Sequence, residues 1–315
     1  MKRTAGILLP ISSLPSRHGI GCFSKSAYHF VDWLKEAGQT FWQILPLGPT
    51  GYGDSPYQSF STFAGNPYFI SLDTLVSEGL LAADECDSTD FGYREDDIDY
   101  KKLYDNRYPL LRKAYKRSHI ADDPTYRRFA EENAWWLSDY ALFMAVKNHL
   151  GGIPWQEWPR DICLRTPSAM ESWRGRLQDE IGFQQFMQFK FHTQWRALKD
   201  YANTNGIRII GDLPIYVAMD SADVWAGPEL FQLDENRVPL AVAGCPPDGF
   251  SAAGQLWGNP LYRWDHHRET GYAWWLSRLG HCFRLYAVTR IDHFRRFDAY
   301  YSTPYGSANA THGHW

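Results

Sequence analysis

Arg290 and Asp292 stand two residues apart in the stretch LYAVTRIDHFRRF, residues 285–297. In an extended chain that spacing puts both side chains on one face, with Phe294 following if the strand persists. A guanidinium beside a carboxylate favours the ionised carboxylate, which suits Asp292 to act as a nucleophile or a stabiliser of a cation rather than as an acid. The same three residues also read as a structural ion pair at a strand end, and taken alone they do not separate the two readings. A second carboxylate, Asp212, stands in GDLP directly after the apolar run at residues 207–210. Two carboxylates at two strand ends could serve as nucleophile and acid. His266, His267, His312 and His314 invite a metal site, but no third ligand accompanies them, and they read as surface histidines.

These groups need a frame. Residues 285–291 are apolar, β-branched and aromatic, the pattern of a buried parallel strand. Residues 5–9 read as a first strand, 40–45 as a second and 207–210 as a third. Ser24 can cap a helix running to about Ala37, with Ala27, Phe30, Val31 and Leu34 at helical spacing and Gly38 as its stop. This β-α-β unit argues for a parallel sheet. Further helices are expected over 183–203 and 274–283. Between strands two and three, residues 74–182 turn helical and charged. Within them, 131–147 carry Ala134, Leu137, Ala141 and Ala145 along one face. The chain divides on this basis into 1–73, a helical insertion at 74–182, and 183–315.

Two long stretches read as loops, 48–72 and 240–264, and so does the tail after Phe297. The first holds Tyr52, Tyr57, Phe60, Phe63 and Tyr68 among Gly, Pro and Ser. Such aromatics either face a substrate or pack over the end of the sheet. The alternation of strands and helices fits a β/α barrel and an open doubly wound sheet alike. No G-x-G-x-x-G follows a strand and no phosphate loop is present. Polar residues gather after the strands, so the site chemistry favours the barrel.

A net charge of -4 with no Lys/Arg block gives no electrostatic case for nucleic acid or an anionic membrane. Aromatic residues make up 16% of the chain, including 14 Trp, and flat faces of this kind suit sugar rings. Five widely spaced cysteines without a C-x-x-C indicate neither disulfides nor zinc, and a reducing cytoplasm is the default. The N-terminal apolar run is short and broken by Pro10, a strand rather than a signal peptide. No stretch approaches membrane-spanning length.

Four motifs in order are GYGDSPYQ at 51–58, GDLPIYV at 211–217, PPDGFS with GQLWGNPLYRW at 246–264, and RIDHFR at 290–295. With these the sequence closely resembles the amylomaltases, or 4-α-glucanotransferases, of glycoside hydrolase family 77, from near Ile7 onward. The resemblance implies an α/β fold of the (β/α)8 TIM-barrel type. Its activity would be cleavage of α-1,4-glucans and transfer of the donor piece through a covalent glycosyl-enzyme. It implies Asp292 as the nucleophile, Arg290 as its orienting arginine and Tyr57 as a platform under the donor sugar. Asp212 would lie near the donor, and Asp248, Gln255 and Trp257 in a loop covering the cleft. Asp54, Asn259 and His293, within the same motifs, join them as substrate-binding positions. No dissociable cofactor and no metal is implied; the partners are maltooligosaccharides and α-1,4-glucans. An amylase-type hydrolase and a non-catalytic glucan-binding fragment are the alternatives.

Two positions depart from the family pattern. Arg296 stands where glycine usually follows HFR, and Gly249 where many members have an aromatic. The first is expected to crowd the strand end, the second to thin a sugar-contacting wall. The family's general acid/base follows a later strand, so none is expected in this chain. Four strands are about half of a closed barrel. The 315 residues by themselves are expected to be a truncated chain, inactive and poorly soluble.

Overall fold

Residues 3–51, 53–92 and 97–315 are described by the computed structural model; Tyr52 of the aromatic loop lies outside them. Their strands are β1 (Gly6–Leu8), β2 (Phe41–Gln43), β3 (Arg208–Leu213), β4 (Ala241–Cys245), β5 (Gln255–Pro260), β6 (Val288–Ile291) and β7 (Tyr301–Pro304). The helices are α1 (Lys25–Glu36), α2 (Leu72–Ser77), α3 (Ala83–Asp87), α4 (Tyr100–Ser118), α5 (Pro124–Glu132), α6 (Ala134–His149), α7 (Arg160–Cys163), α8 (Pro167–Arg176), α9 (Gln178–Thr204), α10 (Ala222–Ala226), α11 (Trp264–Glu269) and α12 (Ala273–Leu285).

The strands expected from the sequence, β1, β2, β3 and β6, form one parallel sheet in that order. Each crossover carries helices, as parallel pairing demands. All three residues of β1 are exposed and β6 is only half-buried, each having one neighbour among the described strands, as four strands of an unclosed barrel leave them. Burial peaks on β2 and β3, where Trp42, Ile209 and Leu213 enter the core. The expected strand ends also shift. β3 runs on through Asp212, while Leu285 closes α12 and β6 starts only at Val288. Phe294 is not on the strand: it opens a 3-10 turn, Phe294–Phe297.

Close packing at β3 depends on Gly211. A Cβ there would lie 2.2 Å from the Tyr286 ring, so the strand and the end of α12 approach only because this residue has no side chain. Gly211→Ala is expected to destabilise the fold by about 2 kcal/mol through overpacking. Chemical denaturation reads this directly, and an unchanged midpoint would mean that the Tyr286 ring yields freely.

The helical stretch between β2 and β3 is present, with two corrections. The helix expected over 183–203 begins earlier, at Gln178, and Ala134 of the expected apolar face of α6 is exposed. Further along, α6 is buried nearly all round, since it packs among α5, α8, α9 and α10. Ser24 sits at the N-cap of α1, but its side chain makes no capping bond; Gly38, at φ 67°, does end the helix.

The aromatic stretch 48–72 resolves into two halves. Phe63, Tyr68 and Phe69 are core residues, and two buried glutamines of α9 fasten that half to the frame. Gln188 accepts from the Gly65 amide at 2.7 Å and donates to its carbonyl at 2.9 Å; Gln194 accepts from the Ser71 amide at 2.7 Å. The first half, carrying Tyr57, is left at the sheet's C-terminal edge.

The expected loop at 240–264 is a correction in kind. It contains β4 and β5, and the expected tail loop supplies β7; the three form an antiparallel sheet in the order β5-β4-β7. Ser302 and His314 extend it by mutual backbone bonds of 2.7 and 2.9 Å.

Candidate active site

β3 and β6 are in register so that Asp212 lies directly opposite Arg290. Neighbours in a parallel ladder project to the same face, and the guanidinium uses that position as a fork. Nη1 donates to Asp212 Oδ1 at 2.7 Å and Nη2 donates to Asp292 Oδ1 at 2.6 Å. One cation thereby bridges two carboxylates on adjacent strand ends. The Asp212 side chain is 2% exposed and that of Asp292 25%. A carboxylate as buried as Asp212 is stable only with partners, and it has a second one: Tyr57 Oη donates to Oδ2 at 3.0 Å. Burial, then the Asp212 charge and this bond, push the Tyr57 hydroxyl up to about 12. It therefore stays protonated and able to donate throughout the neutral range.

Asp292 continues the ladder by one more bond, its amide donating to the Leu213 carbonyl at 3.1 Å. The chain then turns sharply at His293, whose φ of 48° is left-handed without being glycine. Such a conformation costs about 1–3 kcal/mol and persists where surrounding structure enforces it. The turn sets the His293 ring 4.8 Å from that of Trp257, with its Nε2 3.8 Å from Asp292 Oδ2. Arg290 holds Oδ1, and Oδ2 accepts no hydrogen bond from a described residue.

Tyr57, Asp212, Arg290, Asp292, His293 and Trp257 thus come together. Gln255 lies beside them on β5, accepting from Trp257 Nε1 at 3.0 Å. Asn259 is deeper: it donates to the Val217 carbonyl at 2.7 Å and meets Gln58 at 3.4 Å, tying β5 to the loop of Tyr57. Two candidates lie elsewhere. Asp54, at φ 55°, turns toward Thr50 and the side of Tyr68 and Tyr100, and burial raises its carboxyl group. Asp248 accepts from the amides of Phe250 and Ser251 at 2.9 and 2.8 Å, closing its own turn. A Cβ on Gly249 would meet nothing within 4 Å, and the neighbouring Phe250 is wholly exposed.

Among the described residues no group of three or more His, Cys, Asp or Glu side chains is arranged to hold a metal. His267 is not a surface histidine as expected. It is fully buried against Tyr262 and Trp264, with Nε2 3.1 Å from the Leu230 carbonyl, and burial lowers its pKa. His312 and His314 are exposed.

Two supporting residues escaped the sequence reading. Arg278 of α12 is buried and donates to the carbonyls of Pro214 and Ile215 and to Tyr262 Oη, fixing the chain just after Asp212. Its signal was a lone cation inside the apolar run AWWLSRLGHCF. Asp223 accepts from both the amide and the hydroxyl of Thr62 at 2.9 Å, anchoring the Tyr57 loop from α10. A small cleft adjoins the site, lined by Tyr57, Asp212, Tyr216, Arg278 and Tyr286 among others, but not by Arg290 or Asp292.

Residues 9–315 match the family model described as 4-alpha-glucanotransferase, glycoside hydrolase family 77. The chain belongs to this family. It is 50% identical to the 4-alpha-glucanotransferase of Streptococcus pneumoniae, a match covering all of this chain and 63% of that one. With the Thermus thermophilus 4-alpha-glucanotransferase it shares 47% identity, again over 100% of this chain and 63% of the relative. The chain therefore spans about 63% of the length of these curated relatives. Among solved structures, the amylomaltase from Streptococcus agalactiae in complex with acarbose superposes with a TM-score of 0.96 at 44% identity, covering 100% of this chain and 64% of that one. The parallel sheet is thus the (β/α)8 TIM-barrel type of these glucanotransferases, with four of the eight strands here. Asp212, Arg290 and Asp292 lie within the matched residues 9–315.

Proposed function

We propose that this chain carries the donor side of a 4-α-glucanotransferase site, acting on α-1,4-glucans by a retaining double displacement. The observation that carries the reading is the Arg290 fork, which holds Asp292 by one oxygen and leaves the other open. In the first step that free oxygen attacks the anomeric carbon. The C1–O bond to the leaving sugar breaks, and the leaving oxygen takes a proton from an acid. In the second, the 4-hydroxyl of an acceptor attacks C1, loses its proton to the resulting base, and releases the Asp292 carboxylate. Asp212 is not that acid in this reading, because both its oxygens are already acceptors, from Arg290 and from Tyr57. The acid/base carboxyl is assigned to no residue of these 315.

Tyr57 and Trp257 supply aromatic surfaces for the sugar, with Gln255, Asn259 and His293 beside them. Asp248 shapes the covering turn rather than touching the reacting centre. Asp54 belongs to the far rim of the Tyr57 loop. Maltooligosaccharides are the partners this assigns, a reading supported by the similar amylomaltase in complex with acarbose. A cytoplasmic location is part of the same reading, supported by five free cysteines, four of them buried. No helix among the described residues is long and apolar enough to cross a membrane.

Incubating a chain that carries the remainder of the relatives' length with maltotriose tests this reading. Glucose plus glucans longer than the substrate are expected. Glucose and maltose in hydrolytic proportion would instead make the protein a hydrolase, and maltotriose binding without products a binding module.

A further inference from the structure

Arg296 lies four residues past Asp292, in the turn Phe294–Phe297, yet it is only 5% exposed. It does not crowd the strand end. Its side chain reaches the antiparallel sheet instead: Nη2 donates to the Gly244 carbonyl at 3.2 Å and lies 3.0 Å from Cys245 Sγ, both on β4. The guanidinium stands 5.4 Å from the centroid of the Trp257 ring on β5, and 4.8 Å from that of Trp315. A single side chain from the turn after the candidate nucleophile thus touches both strands of the covering hairpin.

The contact falls where the hairpin is least regular. The β4–β5 register shifts between Val242 and Gly244, and a Cβ on Gly244 would meet the Gln255 carbonyl at 2.4 Å. A register shift weakens a ladder locally and lets the strands rotate, so an outside donor to this carbonyl has mechanical effect. Arg296 Nη1 is buried and makes no hydrogen bond among the described residues. Burying a cation with a donor unused is costly; a residue selected for packing alone would be apolar. The guanidinium gains instead a cation–π contact with Trp257, a kind worth more when desolvated. Across the same indole, His293 lies at 4.8 Å and Tyr216 at 6.2 Å. Residues 293 and 296, both on the turn after Asp292, therefore grip Trp257 at two points.

We propose that Arg296 is a positioning residue, a clamp that locks the β4–β5 hairpin onto the nucleophile turn and sets where Trp257 meets the glucan. The last clause rests on the glucan reading; the clamp itself does not. It makes Trp257 an aromatic surface of fixed orientation relative to Asp292 rather than one carried on a mobile cover.

The test uses Arg296→Met and Arg296→Lys in a chain carrying the remainder of the relatives' length, with two readouts. Amide exchange over residues 241–260 is expected to quicken about tenfold in Arg296→Met while residues 208–213 stay as before, and Arg296→Lys, keeping the charge, is expected to fall between. Maltoheptaose affinity by calorimetry is expected to weaken about fivefold in Arg296→Met, and this loss is expected to vanish in a Trp257→Phe background, because the two residues act through one contact. Unchanged exchange over 241–260 would overturn the clamp. So would equal acceleration at 208–213, which marks a general loss of stability, or an affinity loss that persists undiminished without Trp257. If the unmodified chain does not bind maltoheptaose, the glucan reading fails, and the exchange experiment alone decides the clamp.

Discussion

Asp292→Asn is expected to lower maltotriose disproportionation by about 10⁴-fold or more, in a chain carrying the remainder of the relatives' length, because in the proposed mechanism it removes the carboxylate that forms the covalent intermediate. The substitution is nearly isosteric, and the amide oxygen can still accept from Arg290. What it loses is the second, unencumbered oxygen as a nucleophile. The stability change should be small, within about 1 kcal/mol, since the Asp292–Arg290 pair is partly exposed and such pairs contribute little. That combination of lost turnover and retained unfolding midpoint is what separates a catalytic carboxylate from a structural ion pair, the two readings between which the stretch RIDHF did not decide. Turnover near the unmodified level would return Asp292 to the structural reading. Asp212 offers no equally clean comparison: buried and doubly hydrogen-bonded, it would lose folding stability and function together.

The contrast between these two carboxylates shows how far a sequence carries. Both are visible as acidic residues at the ends of apolar runs, because β-branched strands separated by amphipathic helices leave a strong local pattern. That they share one arginine is not visible. Asp212 and Arg290 are 78 residues apart, and only the β3–β6 register makes them opposite. Burial differs for a related reason. The pattern of residues 5–9 and 285–291 is that of strands covered on both faces, whereas only four of the eight barrel strands lie within these residues, so β1 and β6 each have one neighbour. The covering sheet is hidden more deeply. PPDGFSAAG reads as loop because its turn residues are real, and the strand that completes the sheet, β7, comes from a tail with no apolar run of its own. Arg296 is the clearest case. In sequence it is one more arginine after HFR, and its meaning lies wholly in what it reaches.

Lowering the pH from 7 to 5 is expected to remove several kcal/mol of folding stability, with a single histidine responsible for about 2 kcal/mol of it. His281, on α12, is 3% exposed and packs edge-on against Phe63, Trp136 and His192, at centroid distances of 5.6, 5.9 and 5.9 Å. Burial, with Arg284 adding, holds it down to about 4. His192 is held well below its ordinary value by burial first and then by His281, Arg196 and Arg284. His18, behind Phe91, is brought to about 4 by burial and Arg107. Each folded value lies below the ~6.5 of an unfolded histidine. As pH falls through 6.5 the unfolded chain takes up protons that the folded one refuses, so stability declines between about 6.5 and 4 and is level above about 7. Urea unfolding of the unmodified chain and of His281→Phe at pH 7 and pH 5 measures the effect; phenylalanine suits the aromatic surroundings and cannot titrate. The fall between the two pH values should be about 2 kcal/mol smaller in the variant. Parallel falls would mean that His281 takes its proton within the folded core. The consequence reaches the site, because α12 packs on β3 and β6 and carries Arg278, which fixes the chain just after Asp212. Acid would then disable the Asp212–Arg290–Asp292 frame by loosening the helix behind it, before protonation of the carboxylates themselves has to be invoked.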